Sequence, residues 1–404
     1  MSRAQGQRVL VAMSGGVDSA VAAALLRREG FDVVGCFMRL GTPGEDLKAD
    51  ACDAEPETAR RMGRSLPVLP APGVKIGHQG CCSISDAADA RLVAAELGIP
   101  LYVCNFKADF GRVIDYFADE YARGRTPNPC VRCNDWLKFG KLHEYAVNMG
   151  CDFVASGHYA RSGAAEGETW LRRGLDHTKD QSYVLFGVPT DRLSRMLLPV
   201  GGMHKARVRE LAKEFGLPVF DKPDSQEICF VPDNDYASLV DRLRPELARE
   251  GPIIDESGRV VGTHQGQHRF TIGQRRGLDV AVGERVFVTA KDPDSNVVRI
   301  GKREGLMARG CLAGEANWLT AEPPAPGTPV WAKYRYNTPA APARVRVLES
   351  GEGATPSGRL GRFSVEFDEP QAAVAPGQAI VLYDAADPDL VLGGGWIERA
   401  RGGA

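Results

Sequence analysis

The sequence predicts an α/β fold, with a parallel sheet covered by helices on both faces in its first half and smaller β-rich regions after it. Three observations lead to this prediction. Apolar strand patterns alternate with helical patterns up to about residue 220, hairpin patterns follow from about residue 233, and only strand-like runs remain from about residue 304. Alternating strands and helices are typical of a parallel sheet. The last runs alternate with a period of two, which is typical of a small barrel or sandwich.

The elements of the first half follow from their apolar patterns. Predicted strands cover residues 8–13, 32–38, 101–106 and 152–156. Predicted helices cover residues 19–28, 85–97, 113–124, 138–149 and 204–215. Glycine caps the C-terminal ends of helices well, and four of these helices end at Gly30, Gly98, Gly150 and Gly216. Residues 41–80 are rich in proline, glycine and charge, so we expect a loop there.

The second half begins with a short predicted helix at 235–243. Two hairpins with polar turns are predicted next, in IIDESGRVVG (253–262) and VFVTAKDPDSNVVRIG (286–301). The strand-like runs that follow cover residues 329–337, 343–350, 362–367, 378–384 and 391–398.

Composition narrows the class of protein without indicating one function. Apolar residues make up 43% and charged residues 25% of the 404 residues, as in ordinary globular proteins. No window approaches the roughly 18 apolar residues of a membrane span. The first residues, MSRAQGQR, lead directly into a strand, so we expect a cytoplasmic protein with no membrane partner. Ten cysteines in such a chain favour metal or redox chemistry over a disulfide framework.

The formal net charge of −2 does not indicate a nucleic-acid-binding protein, but the segment 258–303 is basic. Its nine arginines and lysines are opposed by only four acids. On charge alone, a solvated basic face is the simpler interpretation. A surface that contacts a nucleic-acid backbone is the alternative.

A glycine-rich turn, SGGVDS (14–19), follows the first predicted strand. Gly15 and Gly16 can adopt positive φ and let a phosphate approach the backbone, and the helix that follows offers free N–H groups to an anion. The turn lacks the Gly-Lys-Ser/Thr of loops that support γ-phosphate transfer. Asp18 would repel phosphate unless it holds Mg²⁺ or caps the helix. An ordinary glycine turn is the alternative, but the whole string in this place favours phosphate binding.

Two cysteine contexts are candidates for chemistry. Cys130 and Cys133 lie in GRTPNPCVRCNDWLKFG, and Cys229 lies in KPDSQEICFVP; both stretches are polar and contain turn residues. Three cations flank the first stretch, and nearby cations lower the pKa of a thiol; they are Arg125, Arg132 and Lys138.

Other interpretations of the cysteines remain open. The spacing of Cys130 and Cys133 also suits a structural zinc, which would need two more ligands, and Cys81-Cys82 is the other cluster. A buried structural thiol is the alternative for Cys229. Three further cysteines lie in or beside apolar strand patterns and are predicted to belong to the core, namely Cys36, Cys104 and Cys151.

Taken together, the motifs resemble those of the tRNA-specific 2-thiouridylases, the tRNA-uridine 2-sulfurtransferases of the PP-loop ATP pyrophosphatase superfamily. The glycine-rich turn resembles the loop of enzymes that split ATP into AMP and pyrophosphate. The resemblance covers nearly the whole chain. It rests on eight strings in order: SGGVDS (14–19), GCFM (35–38), GRTPNPCVRCN (124–134), SGHYAR (156–161), KDQSYVLF (179–186), KPDSQEICF (222–230), FTIGQRRGL (270–278) and PGQAIVLYD (376–384).

This resemblance implies three domains. They are a Rossmann-like PP-loop nucleotide-binding domain over residues 1–228, a small central α+β tRNA-binding domain over 229–303, and a C-terminal β-barrel over 304–404. The implied ATP-binding residues are Ala12, Met13, Ser14, Gly15, Gly16, Val17, Asp18, Ser19, Met38 and Gly157. The residues implied to contact tRNA are His158, Lys179, Asp180, Gln181, Arg335, Tyr336 and Gln378.

The resemblance also assigns roles around the cysteines. Cys229 is implied to carry a persulfide, and Cys133 to be the second cysteine, which releases sulfur or closes a transient disulfide with Cys229. Asn128, Pro129 and Cys130 are implied to lie against the target base. Many members have aspartate where Cys130 stands, and a thiol cannot replace a carboxylate. Pairing of Cys130 with Cys133 is therefore an alternative.

The implied reaction is ATP-dependent 2-thiolation of uridine, expected at wobble position 34 of the Lys, Glu and Gln tRNAs. The C2 oxygen attacks the α-phosphate of ATP, pyrophosphate leaves, and sulfur then displaces AMP. The implied cofactors are ATP and Mg²⁺, with Asp18 as the metal ligand. The implied partners are tRNA and a sulfur-donor protein, either a cysteine desulfurase or a sulfur relay protein. Within such an enzyme the basic segment 258–303 is a natural RNA-backbone surface.

Two other functions remain possible from the sequence. A small-molecule ligase that forms AMP would share the glycine-rich turn but need no persulfide cysteine. A non-enzymatic, zinc-dependent RNA-binding protein would use the Cys130–Cys133 pair as metal ligands.

Overall fold

The structure is a computed structural model that describes residues 6–41, 84–165, 168–224, 228–231, 235–348 and 361–402. The predicted loop at 41–80 lies outside these ranges except for Gly41, and so do Cys81 and Cys82. In the described ranges, no helix combines the length and the apolar character needed to cross a membrane.

The first half of the chain folds as an α/β layer. Its strands are β1 (Arg8–Ala12), β2 (Asp32–Arg39), β3 (Leu101–Asn105), β4 (Phe153–Ala155) and, after a hairpin of β5 (Ala160–Ala165) and β6 (Glu168–Arg173), β7 (Met196–Leu197). Its helices are α1 (Val17–Glu29), α2 (Ile84–Leu97), α3 (Lys107–Ala122), α4 (Pro129–Arg132), the wide-turned π1 (Cys133–Lys141), α5 (Leu142–Asn148), α6 (Thr190–Leu193) and α7 (Lys205–Glu214).

The five-stranded sheet has the order β3-β2-β1-β4-β7, and its paired strands are all parallel. The strand order reverses direction at β1, which lies between β2 and β4. In open sheets of this kind, the crevice beyond the carboxyl ends of the strands at the reversal is where ligands bind. The fold thus places the glycine-rich turn, which directly follows β1, in that crevice.

Both faces of the sheet are covered, as the alternation of strands and helices predicts. Side chains alternate along a strand, and in β1 the fully buried Val9 and Val11 join one hydrophobic cluster whereas Leu10 joins another. The first cluster includes the apolar residues of α1 and α7. The second includes Phe110 and Phe117 of α3.

The second half contains two separate β structures. The helix α8 (Tyr236–Leu243) precedes a four-stranded sheet of β8 (Gly251–Ile254), β9 (Val260–His264), β10 (Phe287–Asp292) and β11 (Val297–Gly301), in the order β10-β11-β8-β9. A closed barrel follows, made of β12 (Met307–Trp318), β13 (Thr328–Lys333), β14 (Ala341–Leu348), β15 (Arg362–Ala372), β16 (Ala379–Asp384) and β17 (Val391–Arg401). The predicted fold class is confirmed, and the barrel rather than the sandwich forms.

Two predicted helix starts were wrong. The helix α3 begins at Lys107 rather than at residue 113, and the helical run that ends near Gly150 begins at Pro129 rather than at residue 138. Asn128 Oδ1 accepts a hydrogen bond from Val131 N at 3.4 Å, and proline occupies the first helical position. Both features favour the start of a helix. Cys130 and Cys133 therefore lie on helical turns rather than in an irregular loop.

The structure also contains strands that the sequence did not predict. The hairpin of β5 and β6 and the short β7 lie in the first half, and the twelve-residue β12 opens the barrel. In β12, small residues recur along the strand, and glycine and alanine give little strand signal.

Candidate active site

Gly15 occupies a position that only glycine fits well. Its φ is +73°, and a Cβ atom there would collide with the backbone carbonyl of Asp86 in α2. Gly16 has an ordinary φ of −101° and serves as the N-cap of α1 without a side-chain cap. The glycine-rich turn thus packs closely against the first residues of α2. No side chain caps the N-terminus of α1, so its free N–H groups can bind an anion.

Two hydroxyls line this turn. Ser19 Oγ accepts a hydrogen bond from Ser14 N at 3.2 Å, donates to Gly16 O at 3.0 Å, and lies 3.3 Å from Ser14 Oγ. Met13 and Val17 are buried, so their side chains belong to the core and only their backbone faces the turn.

The residues implied to bind ATP converge at one edge of the sheet. Met38 lies near the carboxyl end of β2, and Gly157 follows β4, the strand on the other side of β1. A Cβ atom on Gly157 would lie 2.6 Å from Asp18 C and from Ser19 N. Gly157 therefore allows the first turn of α1 to approach the end of β4.

A chain of ion pairs surrounds Asp18. Lys205 Nζ donates to the two carboxylate oxygens of Asp18 at 2.7 and 2.9 Å and lies 2.9 Å from Asp224 Oδ1. Asp224 also pairs with Lys179 at 2.9 Å and with Arg209 at 2.8 Å. The Tyr159 hydroxyl donates to Asp18 Oδ1 at 2.7 Å.

The protonation of this cluster follows from its contacts. Burial alone would raise the pKa of Asp224, but hydrogen bonds from Lys179 and Lys205 hold that pKa at about 2. Burial and the nearby Asp18 charge raise the pKa of Tyr159. Asp224 is therefore ionised and Tyr159 neutral at neutral pH.

Lys222 connects the glycine-rich turn to the chain segment that carries Cys229. Its Nζ donates to Gly15 O at 3.0 Å, to Asp86 Oδ1 at 2.6 Å and to Asp89 Oδ2 at 2.5 Å. Burial opposes the charge, but the hydrogen bonds with Asp86 and Asp89 raise the pKa of Lys222 overall. No role for Lys205, Arg209 or Lys222 was predicted from the sequence. Of these, only Lys222 lies in one of the eight motif strings.

Cys229 lies beside α3. Its neighbour Phe230 is buried and stacks edge-on against Phe110 and Phe117, with ring centroids 5.5 and 5.2 Å apart. Cys133 and Cys229 are both partly buried and pack against the same hydrophobic cluster. Seven residue steps separate Lys222 from Cys229, so their Cα atoms are at most about 25 Å apart.

The segment implied to hold the target base is fixed by the barrel. Gln378 Nε2 donates to Thr126 O at 3.0 Å and to Pro127 O at 3.1 Å, and Thr126 N donates to Pro376 O at 2.9 Å. These bonds hold the chain immediately before Asn128. Gln378 thus has a structural partner within the protein in addition to its implied contact with tRNA.

Two of the three cations that flank Cys130 and Cys133 in the sequence form ion pairs. Arg125 pairs with Glu120 at 2.9 Å, and the buried Arg132 pairs with Glu315 at 2.9 Å. The guanidinium of Arg132 also lies 4.0 Å from the ring centroid of Trp396 in the barrel. A carboxylate therefore offsets each of these two charges, and a lowered pKa of the Cys130 and Cys133 thiols stays a prediction.

Two residues implied to contact tRNA are buried. His158 Nδ1 lies 2.7 Å from Ser156 Oγ. Asp180 accepts hydrogen bonds from Gly174 N at 3.1 Å and from Ser182 N at 3.0 Å. Their side chains organise the protein interior here, and their contact with tRNA stays a prediction.

The other residues implied to contact tRNA lie closer to the surface. Gln181 Oε1 accepts a hydrogen bond from Tyr159 N at 2.9 Å. Arg335 donates to Ile272 O at 2.9 Å, which links the barrel to the central domain. Tyr336 is exposed, and its ring lies 6.0 Å from that of Tyr183.

His158 should make the stability of the fold depend on pH. Burial and the adjacent Lys138 lower its pKa well below 6.5. Below about pH 6.5, His158 is therefore protonated in the unfolded chain but stays neutral in the folded chain. The free energy of unfolding should decrease as the pH falls below this value, by up to about 1.4 kcal/mol per pH unit. We expect His158→Gln to reduce this loss by about that amount in urea titrations at pH 7 and pH 5.5. The exposed His177 supplies the control: an equal change of slope in His177→Gln would contradict the assignment.

The basic segment 258–303 is partly neutralised. Arg259, Arg269 and Lys302 pair with Asp255, Asp241 and Glu284, respectively. Lys291 donates to Phe270 O at 2.8 Å, and burial lowers its pKa to about 7. The exposed cations without an ion pair among the described residues are Arg275, Arg276, Arg285, Arg299 and Arg303.

The alternative of a zinc site gains no support from the described residues. Across those ranges, no three side chains of His, Cys, Asp or Glu come together in a way that could hold a metal ion. The core assignments of Cys36, Cys104 and Cys151 are confirmed by their burial.

Nearly the whole chain is similar to known proteins, both in family models and in individual relatives. Three family models match in order: a tRNA methyl transferase HUP domain at residues 7–233, a tRNA methyl transferase PRC-barrel domain at 239–302, and an aminomethyltransferase beta-barrel domain at 308–397. The chain is 49% identical to the tRNA-specific 2-thiouridylase MnmA of Rhodopirellula baltica, over 97% of this chain and 96% of that protein. It is 42% identical to the protein of the same name from Desulforamulus reducens, over 97% of both chains.

Solved structures resemble the chain only in part. A 4-thiouridine synthetase in complex with RNA and ATP overlaps with a TM-score of 0.34 and 15% identity, over 59% of this chain and 53% of that one. Structural similarity at this TM-score and identity does not support a conclusion about function.

Proposed function

The chain belongs to the tRNA-specific 2-thiouridylase family, whose members are sulfurtransferases that act on tRNA, and from this premise we propose its reaction. The protein uses ATP to replace the C2 oxygen of a uridine, at wobble position 34 of tRNA, by sulfur. The family models carry methyltransferase names, but the relatives that align over the full chain are named 2-thiouridylases. The glycine-rich turn suits ATP, which thiolation requires.

The first step is adenylation. The C2 oxygen of uridine attacks the α-phosphate of ATP, the bond to pyrophosphate breaks, and a C2–O–AMP adduct forms. The turn 14–19, with Met38 and Gly157 beside it, binds the nucleotide and releases pyrophosphate. This assignment is supported by the positive φ of Gly15 and the uncapped N-terminus of α1.

We assign Asp18 as the ligand of the Mg²⁺ that accompanies ATP. A carboxylate is a donor that Mg²⁺ prefers, and the metal offsets the charge of the phosphates when bound. Both oxygens of Asp18 accept hydrogen bonds from Lys205 in this structure. A metal on Asp18 would share the carboxylate with Lys205 or take its place, and in the second case Lys205 keeps Asp224 as a partner.

The second step is sulfur transfer. A persulfide on Cys229 supplies the sulfur, which bonds to C2 as the C2–O bond breaks and AMP leaves. The Cys133 thiol then attacks the inner sulfur, so that a Cys133–Cys229 disulfide forms and the thiolated base is released. A thiol reductant restores both cysteines. In the variant route, Cys133 first frees sulfide, which attacks C2 itself.

One observation carries the proposal: the segment that bears Cys229 begins at the glycine-rich turn. Lys222 donates to Gly15 O, and Asp224 is joined through Lys205 to Asp18. The chain then runs to Cys229, which packs on the same cluster as Cys133. This anchoring limits the distance from the Cα of Lys222, at the turn, to that of Cys229 to about 25 Å, which supports the proposal.

The finer assignments extend this proposal. The substrates are the Lys, Glu and Gln tRNAs, and the sulfur comes from a cysteine desulfurase or a sulfur relay protein. His158, the segment 179–181, the pair 335–336 and Gln378 contact tRNA, and residues 128–130 lie against the base. We divide the chain into the domains 1–228, 229–303 and 304–404.

The test is mass spectrometry of nucleosides from an unmodified tRNA transcript incubated with the protein, ATP, Mg²⁺, and a cysteine desulfurase with cysteine as the persulfide donor. We expect 2-thiouridine, confined to position 34 on sequencing of the digest, with one AMP formed for each sulfur incorporated. A methylated nucleoside without sulfur would overturn the proposal. ATP–pyrophosphate exchange driven by a small acid without tRNA would favour the ligase alternative.

A further inference from the structure

A pocket of about 360 Å³ lies where the hairpin of β5 and β6 meets the barrel. Its size is within the range of small-molecule sites. It lies outside the nucleotide crevice at the carboxyl end of β1. Its lining includes Arg173, His177, Trp331, Lys333, Pro339 and Pro388.

The walls of this pocket are held by ion pairs. Pro388 lies in the turn between β16 and β17, and that turn is tied to the hairpin by Arg161–Asp389 at 2.6 Å and by Arg172–Asp387 at 2.8 Å. The opposite wall is β13, which is paired with strands on both sides. The pocket is therefore built by regular structure on two sides.

Two cations enter the pocket, and neither forms an ion pair with a residue that the structure describes. The Arg173 guanidinium lies 4.0 Å from the ring centroid of Tyr383, and its Nε is buried without a hydrogen-bond partner. Lys333 Nζ lies 5.8 and 5.5 Å from the ring centroids of Tyr183 and Tyr336. Burial lowers the pKa of Lys333 against the opposing charge of Asp180, a carboxylate that also lines the pocket. Such cations favour an anionic ligand.

The pocket also offers an aromatic surface. Trp331 lines it from β13 and is only partly buried. Proteins that bind single-stranded RNA stack bases on aromatic rings and hold the phosphates with cations. A flat ring beside two cations that form no ion pair with a described residue is that combination.

The pocket adjoins the segment proposed to hold the target base. Lys333 Nζ lies against the rings of Tyr183 and Tyr336, and Tyr183 belongs to the turn 182–184, which contacts the helix at 129–132. Asp180 lines the pocket, and Cys130 belongs to the target-base segment. A nucleotide next to the modified one in the RNA strand would therefore reach the pocket.

We infer that this pocket binds a second unstacked nucleotide of the RNA substrate, with its base on Trp331 and its phosphate between Arg173 and Lys333. The inference rests on the proposed function for its ligand class. It adds a binding site that the sequence motifs do not indicate, because Arg173 and Trp331 lie outside all eight motif strings.

The test compares variants of the full-length protein in binding to an unmodified tRNA transcript. We expect Trp331→Ala to weaken binding about tenfold, as for the loss of one stacked base. Trp331→Phe should keep most of the affinity. Lys333→Gln should reduce the slope of log K against log salt by about 0.7, as for one phosphate contact to a single strand. Arg346→Gln, on the exposed face of β14, is the matched control and should change neither quantity.

A fluorescence measurement separates stacking from a structural role. Trp331 should be quenched when tRNA binds, and the quenching that is lost in Trp331→Phe is the contribution of that residue. If Trp331→Ala and Lys333→Gln bind tRNA as the parent protein does, the inference is overturned while the proposed function stands. If the variants raise the KM for ATP and leave tRNA binding unchanged, the pocket binds a mononucleotide and the inference is also overturned. Absence of thiolation by the parent protein would overturn the proposed function, and the binding data would still decide the pocket.

Discussion

Replacing Cys229 with serine is expected to abolish the formation of 2-thiouridine while tRNA binding stays within about twofold of the parent protein. A serine hydroxyl cannot carry a persulfide, and the thiolate is the nucleophile in such chemistry. Cys229 is only partly buried against the hydrophobic cluster, and its neighbour Phe230 anchors the segment between two aromatic rings. Serine has nearly the shape of cysteine, so the fold should persist.

Two readouts measure this effect. Nucleoside mass spectrometry reports sulfur transfer, and pyrophosphate release that depends on tRNA reports adenylation. We expect Cys229→Ser to lose the first and keep the second, because residues 14–19 are untouched. Sulfur transfer at the parent rate with a persulfide donor would show that Cys229 is not the carrier.

The same two readouts decide which cysteine is the second one. Cys133 packs on the cluster that also contacts Cys229, whereas Cys130 is exposed. We therefore expect Cys133→Ser to lose thiolation nearly as completely as Cys229→Ser. Cys130→Ser is the matched control from the same helical run. Full activity in Cys133→Ser with loss in Cys130→Ser would move the second role to Cys130.

Local sequence patterns predicted the main strands and helices of the fold and the glycine-rich turn. The run from β1 through Gly15 to α1 is contiguous, and each of its signals acts within a few residues. The strand alternation of the barrel is equally local. The start of the helical run at Pro129 was missed because proline and asparagine signal both turns and helix N-termini. The choice between a turn and a helix there depends on the packing of the later residues of the run.

The charges of the site could not be predicted in the same way. Lys205 reaches Asp18 across 187 positions of the sequence, and Arg132 reaches Glu315 across 183. A cation beside a cysteine in sequence lowers the pKa of the thiol only if its charge also lies near the thiol in space. The Arg132 guanidinium packs against the Trp396 ring of the barrel and pairs with Glu315. Only the packing of the barrel on the first domain determines this.

Replacing Gly15 with alanine is expected to lower the rate of AMP formation by about two orders of magnitude, because misplacement of a binding group by about 1 Å can cost that much. Two effects act together. The left-handed backbone at φ +73° costs an L residue roughly 1–2 kcal/mol. The new Cβ would also collide with the carbonyl of Asp86, so either the turn or the start of α2 must move. Both alternatives disturb the contacts of Lys222 with Gly15 O and Asp86.

Two further glycines separate these effects. Gly98, which follows α2 at its other end, has φ +59°, and a Cβ there would meet only Arg27 Nη2 at 3.7 Å. Gly98→Ala should therefore lose a similar stability from backbone strain but keep AMP formation at the parent rate. Gly16→Ala introduces no strain, since its φ is −101° and its Cβ would lie 3.5 Å from Ser14 Oγ. It tests only whether a methyl group in the turn obstructs the phosphates. If Gly15→Ala and Gly98→Ala prove equally unstable and equally active, the turn does not hold the nucleotide, and the adenylation step must be assigned elsewhere.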